Sequence, residues 1–326
     1  MTRVLAVDVG ATEIRGVLAD ESGLRGAPWA FPTAVVADGA DATERGEALA
    51  ERIRQELSAP IDAVGVAAAG VFDRDARELV ETANWAGAAL GPLETELGVP
   101  LGFENDADAS VRAIQRYGRG DGERAARDGG SVGSAGTDDD NLAYLCIGTG
   151  IGVGVVHEGR LIRGVEAGFA NVNWDGDVTH FGVTNPWEGY ASGARLADRV
   201  REWVEADDRE TALTGREDAE AFFEAVYDGD PVARDYYTRL KRINAAGIGT
   251  VANVFSLDTV VVDGGVAGNH PRLVDYEDDP YATEAVPLDD YCVSTPPIVE
   301  RRADLASFDD ELELYGAAAS ALAALE

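Results

Sequence analysis

Cysteine is nearly missing from this chain. Two residues of that type among 326, Cys146 and Cys292, exclude a disulfide framework and a cysteine-built zinc quartet. Lysine is scarcer still: Lys241 stands alone, and the rest of the Lys+Arg 27 are arginine. No apolar run reaches the roughly 18 residues that a membrane span needs. Strand-like residues begin at Val4, which leaves no room for a signal peptide, so a cytoplasmic protein is expected. Positive charge is short overall, Lys+Arg 27 against Asp+Glu 60, a net charge of -33. The excess is distributed, not gathered in a tail, and therefore describes a surface. Nucleic acid and anionic membranes are poor partners for it. An anionic ligand must be met locally, by backbone N–H groups, a cation or a metal.

What is present suits a globular protein of about two domains, 45% hydrophobic with a mean hydropathy of -0.14. Self-repulsion at this charge is screened by salt, and the composition resembles that of proteins from halophilic archaea. The central stretch is NLAYLCIGTGIGVGVV, residues 141–156. A strand enters it, glycines at 148, 150, 152 and 154 follow with Thr149 between the first two, and the chain re-enters a strand at Val155. Glycine lets backbone N–H groups approach a ligand closely, and a hydroxyl beside such a turn suits phosphate. Strand, glycine turn and strand form a hairpin, however, and not a P-loop. Phosphate binding and a tight structural hairpin are both open readings of this stretch alone.

A second element of the same kind lies near the start. Val4 to Val9 forms a strand with one carboxylate, Asp8, near its end; Gly10, Ala11 and Thr12 turn the chain, and Ile14 to Leu18 return it. Asp8 either caps the turn or holds hydrated Mg²⁺ while the Gly10–Thr12 backbone faces phosphate. This echo suggests two similar halves.

Between the two elements, Ala42 to Leu57 reads as an amphipathic helix and Ile61 to Ala67 as a strand. Asn84, beside Trp85, either caps the helix starting near Leu90 or binds polyol hydroxyls, since an amide is both donor and acceptor. Glu104, Asn105, Asp106 and Asp108 crowd a strand–helix junction. Capping competes there with a carboxylate that takes a proton from a substrate hydroxyl. Residues 119–140 read as an acidic, glycine-rich insertion. Beyond the central hairpin, 163–182 is loop-like, with Asn171, Asn173, Trp174 and His180; no ligand set for zinc surrounds that histidine. Glu188 opens a helix expected to run from Ala191 to Val204. The Phe222-Phe223 and Tyr236-Tyr237 pairs read as core or dimer contact. Leu257 to Asp263 forms a buried strand, and Gly264-Gly265 at its end offers a place for a planar or phosphate ligand.

Together these motifs resemble the ROK family of sugar kinases, within the actin-like ATPase superfamily. Asp8-Val9-Gly10-Ala11-Thr12-Glu13-Ile14-Arg15 looks like its first phosphate motif, D-x-G-x-T-x-x-R. Glu104-Asn105-Asp106-Ala107 looks like its E-N-D-A segment, and Gly148-Thr149-Gly150 opens its second phosphate loop. Gly264-Gly265 looks like its adenosine contact, and Gly316-Ala317-Ala318 like part of its terminal helix. The likeness runs over nearly the whole chain. It implies an α/β, two-lobed actin-like ATPase (ribonuclease H-like) fold with a nucleotide cleft between the lobes. The first lobe would comprise 1–118 with the terminal helix 312–326, and the second 141–311.

The resemblance further implies ATP-dependent phosphorylation of a sugar hydroxyl, with Asp106 as general base. Asn84, Asn105, Glu188, Asn171 and Asn173 would bind the sugar. Asp8, Gly10, Ala11, Thr12, Arg15, Gly148, Thr149, Gly150, Gly264 and Gly265 would bind ATP, with Mg²⁺ held near Asp8 through water. A homodimer is usual for the family. Two departures stand out. The family's G-F-A-G-E-x-G-H stretch appears as Gly168-Phe169-Ala170-Asn171-Val172-Asn173-Trp174, without Glu and His, and the C-x-C-G-x-x-G-C cluster is missing, so no structural zinc is expected. The sugar need not be glucose. A catalytically silent sugar or nucleotide sensor is the alternative, although a binder has no need of a base. An acetate- or glycerol-type kinase is a weaker third reading. With strand residues already at Val4, the helix-turn-helix of the family's repressors is not expected.

Overall fold

The computed structural model describes residues 2–82, 86–118, 140–300, 308 and 311–326. Asn84 and nearly all of the expected 119–140 insertion lie outside these residues. Two compact units divide the chain, Met1–Asp138 with Ser307–Glu326, and Asp139–Ala306.

The first unit is built on a five-stranded sheet. Its central strand β1 (Val4–Val9) is apolar except for Asp8, as expected of a strand covered on both faces. β2 (Glu13–Asp20) returns antiparallel, setting Asp8 opposite Arg15, and β3 (Gly23–Pro32) continues the meander. A short helix α1 (Ala34–Ala37) precedes α2 (Ala42–Glu56), whose first turn is capped by the Asp41 carboxylate accepting from the Glu44 N–H at 2.9 Å. β4 (Ala63–Ala68) then pairs parallel with β1. A small three-stranded sheet follows, β5 (Gly70–Asp73), β6 (Glu78–Thr82) and β7 (Ala88–Ala89), then α3 (Gly91–Leu97). β8 (Leu101–Asn105) pairs parallel with β4 and leads directly into α4 (Asp106–Tyr117). The strand order is β3-β2-β1-β4-β8.

The two faces of this sheet are filled differently. Leu49, Ile53 and Leu93 pack with Leu5, Val7, Val64 and Val66 on one side. The other side receives the terminal helix Leu312–Ala323, through Ala317, Ala318 and Ala321. A helix of small residues fills space only by coming close, and glycines permit it. A Cβ on Gly65 would collide with the Ala317 carbonyl, and one on Gly102 with that of Ser320.

The second unit repeats the plan. β9 (Leu142–Ile147) is central, β10 (Ile151–His157) returns antiparallel and β11 (Arg160–Ile162) continues. A hairpin of β12 (Thr179–His180) and β13 (Val183–Thr184) leads to α5 (Trp187–Ala191) and α6 (Gly193–Glu205). α7 (Ala219–Asp228) and the long α8 (Pro231–Phe255) precede β14 (Thr259–Asp263), parallel to β9. α9 (Gly265–Asn269) begins the crossover to β15 (Ile298–Glu300). The order is β11-β10-β9-β14-β15, with the same sequence of antiparallel and parallel pairings as the first unit.

Phe222, Phe223, Tyr236 and Tyr237 are all core. The chain's one lysine, Lys241 on α8, is also buried. Its ammonium donates to the carbonyls of Arg272 and Asp275 at 2.8 and 2.5 Å and to Asp279 at 2.6 Å. Burial lowers its pKa while Asp279 opposes that shift. Three acceptors converging on one point suit a compact ammonium better than a planar guanidinium.

The expected helix from Ala191 to Val204 is interrupted. Ser192 is extended, with φ -74° and ψ 149°, and separates α5 from α6. The break lets the Gly193 and Ala194 N–H groups donate to the carbonyls of Gly148 and Thr149, at 2.7 and 3.2 Å. The helix is broken in order to hold the central glycine turn.

Candidate active site

Each unit carries a glycine turn at the end of its central strand. In the first, the Gly10 N–H donates to the Glu13 carbonyl at 3.0 Å, closing the turn on itself. Thr33, not singled out in the sequence, braces it from outside: its hydroxyl donates to the Gly10 carbonyl at 2.8 Å and its N–H to the Thr12 carbonyl at 3.0 Å. Beside the turn, the Arg15 guanidinium donates through Nε and Nη2 to Asp8 Oδ2, at 3.1 and 2.7 Å. The cross-strand register brings this pair together. Burial pushes the Asp8 carboxyl above its ordinary value, and Arg15 pulls it back. Glu313, on the first turn of the terminal helix, lies 3.9 Å from Arg15. Its own carboxyl is raised by burial and further by the charges of Asp8 and Asp106. Glu313 had no motif to announce it; only the docking of the terminal helix brings it here.

The β8–α4 junction sorts its acidic residues by environment. Glu104 is buried and bound by Arg74 at 2.6 Å, with Arg112 at 3.3 Å. Asp108 is buried as well, 3.8 Å from Arg74. Asn105 is the N-cap of α4, its Oδ1 accepting from the Asp108 N–H at 2.7 Å. Asp106, the first residue of the helix, is exposed. The cap reading of Asn105 therefore holds, and one carboxylate of the three faces outward. Arg74 and Arg112 had no spacing signal in the sequence.

In the second unit, the turn of Gly148, Thr149 and Gly150 closes with the Gly148 N–H on the Gly150 carbonyl at 3.0 Å. Gly264 and Gly265 adjoin it: a Cβ on Gly148 would lie 3.6 Å from the Gly265 nitrogen. Gly264 has φ 101°, a conformation reserved for glycine, and a Cβ there would meet Ile147 backbone at 2.5 Å. The glycine pair and the glycine turn thus form one stretch of bare backbone.

Glu188 stands beside that turn. Its Oε2 accepts from the Ile151 N–H at 2.7 Å, and its Oε1 lies 2.8 Å from His180 Nε2. The His180 ring stacks on Phe169 and leans against Phe181. Asn171 and Asn173, expected to face sugar, make hydrogen bonds within the unit, Asn171 inside the loop and Asn173 also to α5. Asn171 Nδ2 donates to the Thr184 carbonyl at 3.3 Å, its Oδ1 accepts from the Asn173 N–H at 3.2 Å, and Asn173 Nδ2 donates to the Tyr190 hydroxyl at 3.0 Å. The reason is local: an irregular loop must satisfy its polar groups, and these amides do so.

Among the described residues, no group of three or more His, Cys, Asp or Glu is arranged to hold a metal. The donors of this loop do not fit zinc: it holds no cysteine, and its histidine is engaged with Glu188. Magnesium asks for less, since it keeps much of its water and accepts one carboxylate beside substrate phosphates. Asp8 at its strand end fits that requirement. Nor, among the described residues, is any helix long and apolar enough to cross a membrane.

The fold is the two-lobed α/β fold of the actin-like ATPases, which the sugar kinases among its structural neighbours share. A family model described as "ROK family" matches residues 4–319, and the chain belongs to that family. It is 30% identical to a glucokinase of Aeropyrum pernix over 84% of this chain and 85% of that protein. Over a shorter stretch, 41% of this chain and 32% of the other, it is 29% identical to the xylose repressor of Bacillus subtilis. Among solved structures, the ROK hexokinase from Thermus thermophilus superposes with a TM-score of 0.74 at 26% identity, over 99% of both chains.

Proposed function

We propose that this protein transfers the γ-phosphoryl group of ATP to a hydroxyl of a sugar. The observation that carries the reading is the sorting of carboxylates at the β8–α4 junction. Glu104 and Asp108 are buried beside Arg74, while Asp106 is exposed at the first position of its helix. A base must reach its substrate, and Asp106 is the residue of the three that meets this condition. In the reaction, Asp106 takes the hydroxyl proton as the sugar oxygen attacks the γ-phosphorus. The new O–P bond forms as the β–γ bridge bond breaks, and ADP leaves with that bridging oxygen.

The Gly10–Thr12 and Gly148–Gly150 turns both serve as phosphate loops, and Gly264-Gly265 meets the adenosine. Arg15 holds Asp8 in place beside the first turn. Asp8, through water, would hold Mg²⁺, which supplies charge neutralisation to the phosphates. Glu188 and Asn105 orient the sugar together with Asn84. Asn171 and Asn173, expected to contact the sugar as well, also shape their own loop. The names of the relatives make glucose the first sugar to try. The family's usual homodimer is the expected assembly, to be checked by light scattering.

A second reading has its own support. The loop that departs from the family pattern commits its asparagines to hydrogen bonds within the protein, and part of the chain is similar to a repressor, so a sugar sensor without turnover is the rival. One experiment separates them: a coupled ADP-release screen over hexoses, hexosamines and keto-sugar acids, in high salt with Mg²⁺. Sugar-dependent release at turnover well above the sugar-free rate is expected. Folded protein that releases no ADP with any sugar would leave the sensor.

A further inference from the structure

We infer that Asn185, Tyr190 and Gly176 form a hydrogen-bonded clasp that positions Glu188 against the glycine turn. Asn185 is the centre of it. The residue is 1% exposed and sits in the left-handed region, with φ 52°. Its Oδ1 accepts from the Tyr190 hydroxyl at 2.7 Å and from the Val178 N–H at 2.9 Å. Its Nδ2 donates to the Gly176 carbonyl at 2.8 Å. Its backbone adds two more bonds, donating to the Val178 carbonyl at 2.7 Å and accepting from the Val172 N–H at 3.1 Å. The Tyr190 hydroxyl also accepts from Asn173 Nδ2. Gly176 completes the clasp by leaving room. A Cβ there would collide with the Tyr190 hydroxyl and lie 2.5 Å from Asn173 Nδ2 and 2.7 Å from Asn185 Oδ1.

This network spans the loop from Val172 to Asn185 and fastens it to α5. The same short helix is fixed on its other side, where Trp187, fully buried, donates from Nε1 to Asn244 Oδ1 at 2.8 Å. With Trp187 and Tyr190 both held, Glu188 between them has one direction to point. It joins His180 to the Ile151 N–H, directly after the Gly148–Gly150 turn. A helix of five residues has little rigidity of its own, so the precision of Glu188 must come from its flanks. Buried polar networks whose members are all satisfied specify a single geometry. Asn185, Tyr190 and Gly176 are thus positioning residues, and the loop needs no metal to keep its shape.

The functional arm of the test rests on the kinase reading; the structural arm does not. Tyr190→Phe deletes one hydroxyl, and Asn185→Gly deletes the side chain while keeping a left-handed backbone accessible. Amide hydrogen exchange is followed at Val178 and Asn185 within the clasp, and at Ile151 beyond it. Both variants are expected to lose tenfold or more protection at all three amides, including Ile151, whose N–H donates to Glu188. With glucose as probe, the glucose KM should rise about tenfold while kcat and the ATP KM stay within threefold. The parent Tm should not change when a zinc chelator is added. Unchanged protection at Ile151 in both variants, equal losses in kcat and KM, or a chelator-dependent fall in Tm would each overturn the inference. A parent that turns over no sugar would count against the kinase reading alone, and the Ile151 comparison would still decide the clasp.

Discussion

The turn after β1 and the turn after β9 occupy equivalent places in two sheets of identical order, yet their chemistry differs. At the first, the flanking strands carry the charge themselves: Asp8 on β1 lies opposite Arg15 on β2. At the second, the equivalent register sets Cys146 opposite Gly152, with no charge on either strand. There the carboxylates come from other elements, Glu188 from α5 and Asp263 from β14, beside Cys146 in the parallel register. The supports differ too. Thr33 braces the first turn through a hydroxyl and an amide, while the second has its carbonyls held by α6 and adjoins a second glycine pair. One sheet plan thus yields a charged turn and a bare one. On the proposed kinase reading the difference would divide the labour: the first unit would supply charge and the base, the second a backbone surface for the nucleotide.

If that division is right, the largest loss follows from removing charge in the first unit. Asp106→Asn keeps a side-chain oxygen for the Ala107 N–H, which Asp106 Oδ1 now accepts at 2.9 Å. Folding and ATP binding should therefore survive. Turnover should fall by about 10²–10⁴, the usual contribution of a positioned base, measured as kcat in the coupled assay with ATP affinity determined separately. A variant that turned over sugar within threefold of the parent would remove Asp106 from the mechanism.

How much of this was legible in the sequence depends on how local each feature is. Asp8, Gly10 and Arg15 lie within one hairpin, and alternation plus a turn fixes their register. The Gly148–Gly150 turn and the capped start of α4 were readable for the same reason. What escaped was set by packing between distant segments. Thr33 reaches the first turn only because β3 runs back beside β2, and Glu313 arrives with the terminal helix, some 300 residues from its partner Arg15. The break at Ser192 has no local cause: the Ala191–Val204 pattern is helical, and the backbone bonds to Gly148 and Thr149 override it. Asn171 and Asn173 carry hydrogen bonds that the sequence reading did not anticipate. An asparagine in a loop near a site suggests a ligand contact, but the same amide serves an irregular backbone equally well.

Glycine substitutions sharpen the contrast between the turns. A Cβ on Gly10 would lie 2.7 Å from the Glu13 carbonyl oxygen, a backbone atom that cannot swing away. Gly10→Ala should therefore destabilise the protein by about 1–3 kcal/mol, the cost of overpacking, read as a lower Tm. A Cβ on Gly148 meets nothing closer than 3.6 Å. Gly148→Ala should leave Tm within about 2 °C, since an effect below about 0.5 kcal/mol shifts it little. The methyl would instead project from the bare surface, and the ATP KM should rise severalfold. Equal losses of stability at both positions would break the comparison.

The last effect concerns the pair that makes the first turn charged. Arg15→Met keeps the aliphatic stem and removes the guanidinium, leaving Asp8 buried beside Glu313 and Glu13 without the cation that now faces it. Breaking a well-buried pair costs about 3–5 kcal/mol; this one is partly open to solvent, with Arg15 28% exposed, so about 1–2 kcal/mol is expected near neutral pH. The pH dependence gives the sign. Burial already holds the Asp8 carboxyl above its ordinary value, and Glu313 is raised likewise; losing Arg15 moves both further up. A carboxyl raised on folding binds protons more readily in the native state, so its burden on stability is greatest above the folded pKa and disappears as pH falls below the unfolded value. The gap in unfolding free energy between parent and Arg15→Met should therefore close from pH 7 toward pH 4. Denaturant titrations at several pH values measure it directly. A gap that stayed constant would mean that Arg15 matters through its packing, and that the charge of the first turn is not what distinguishes it from the second.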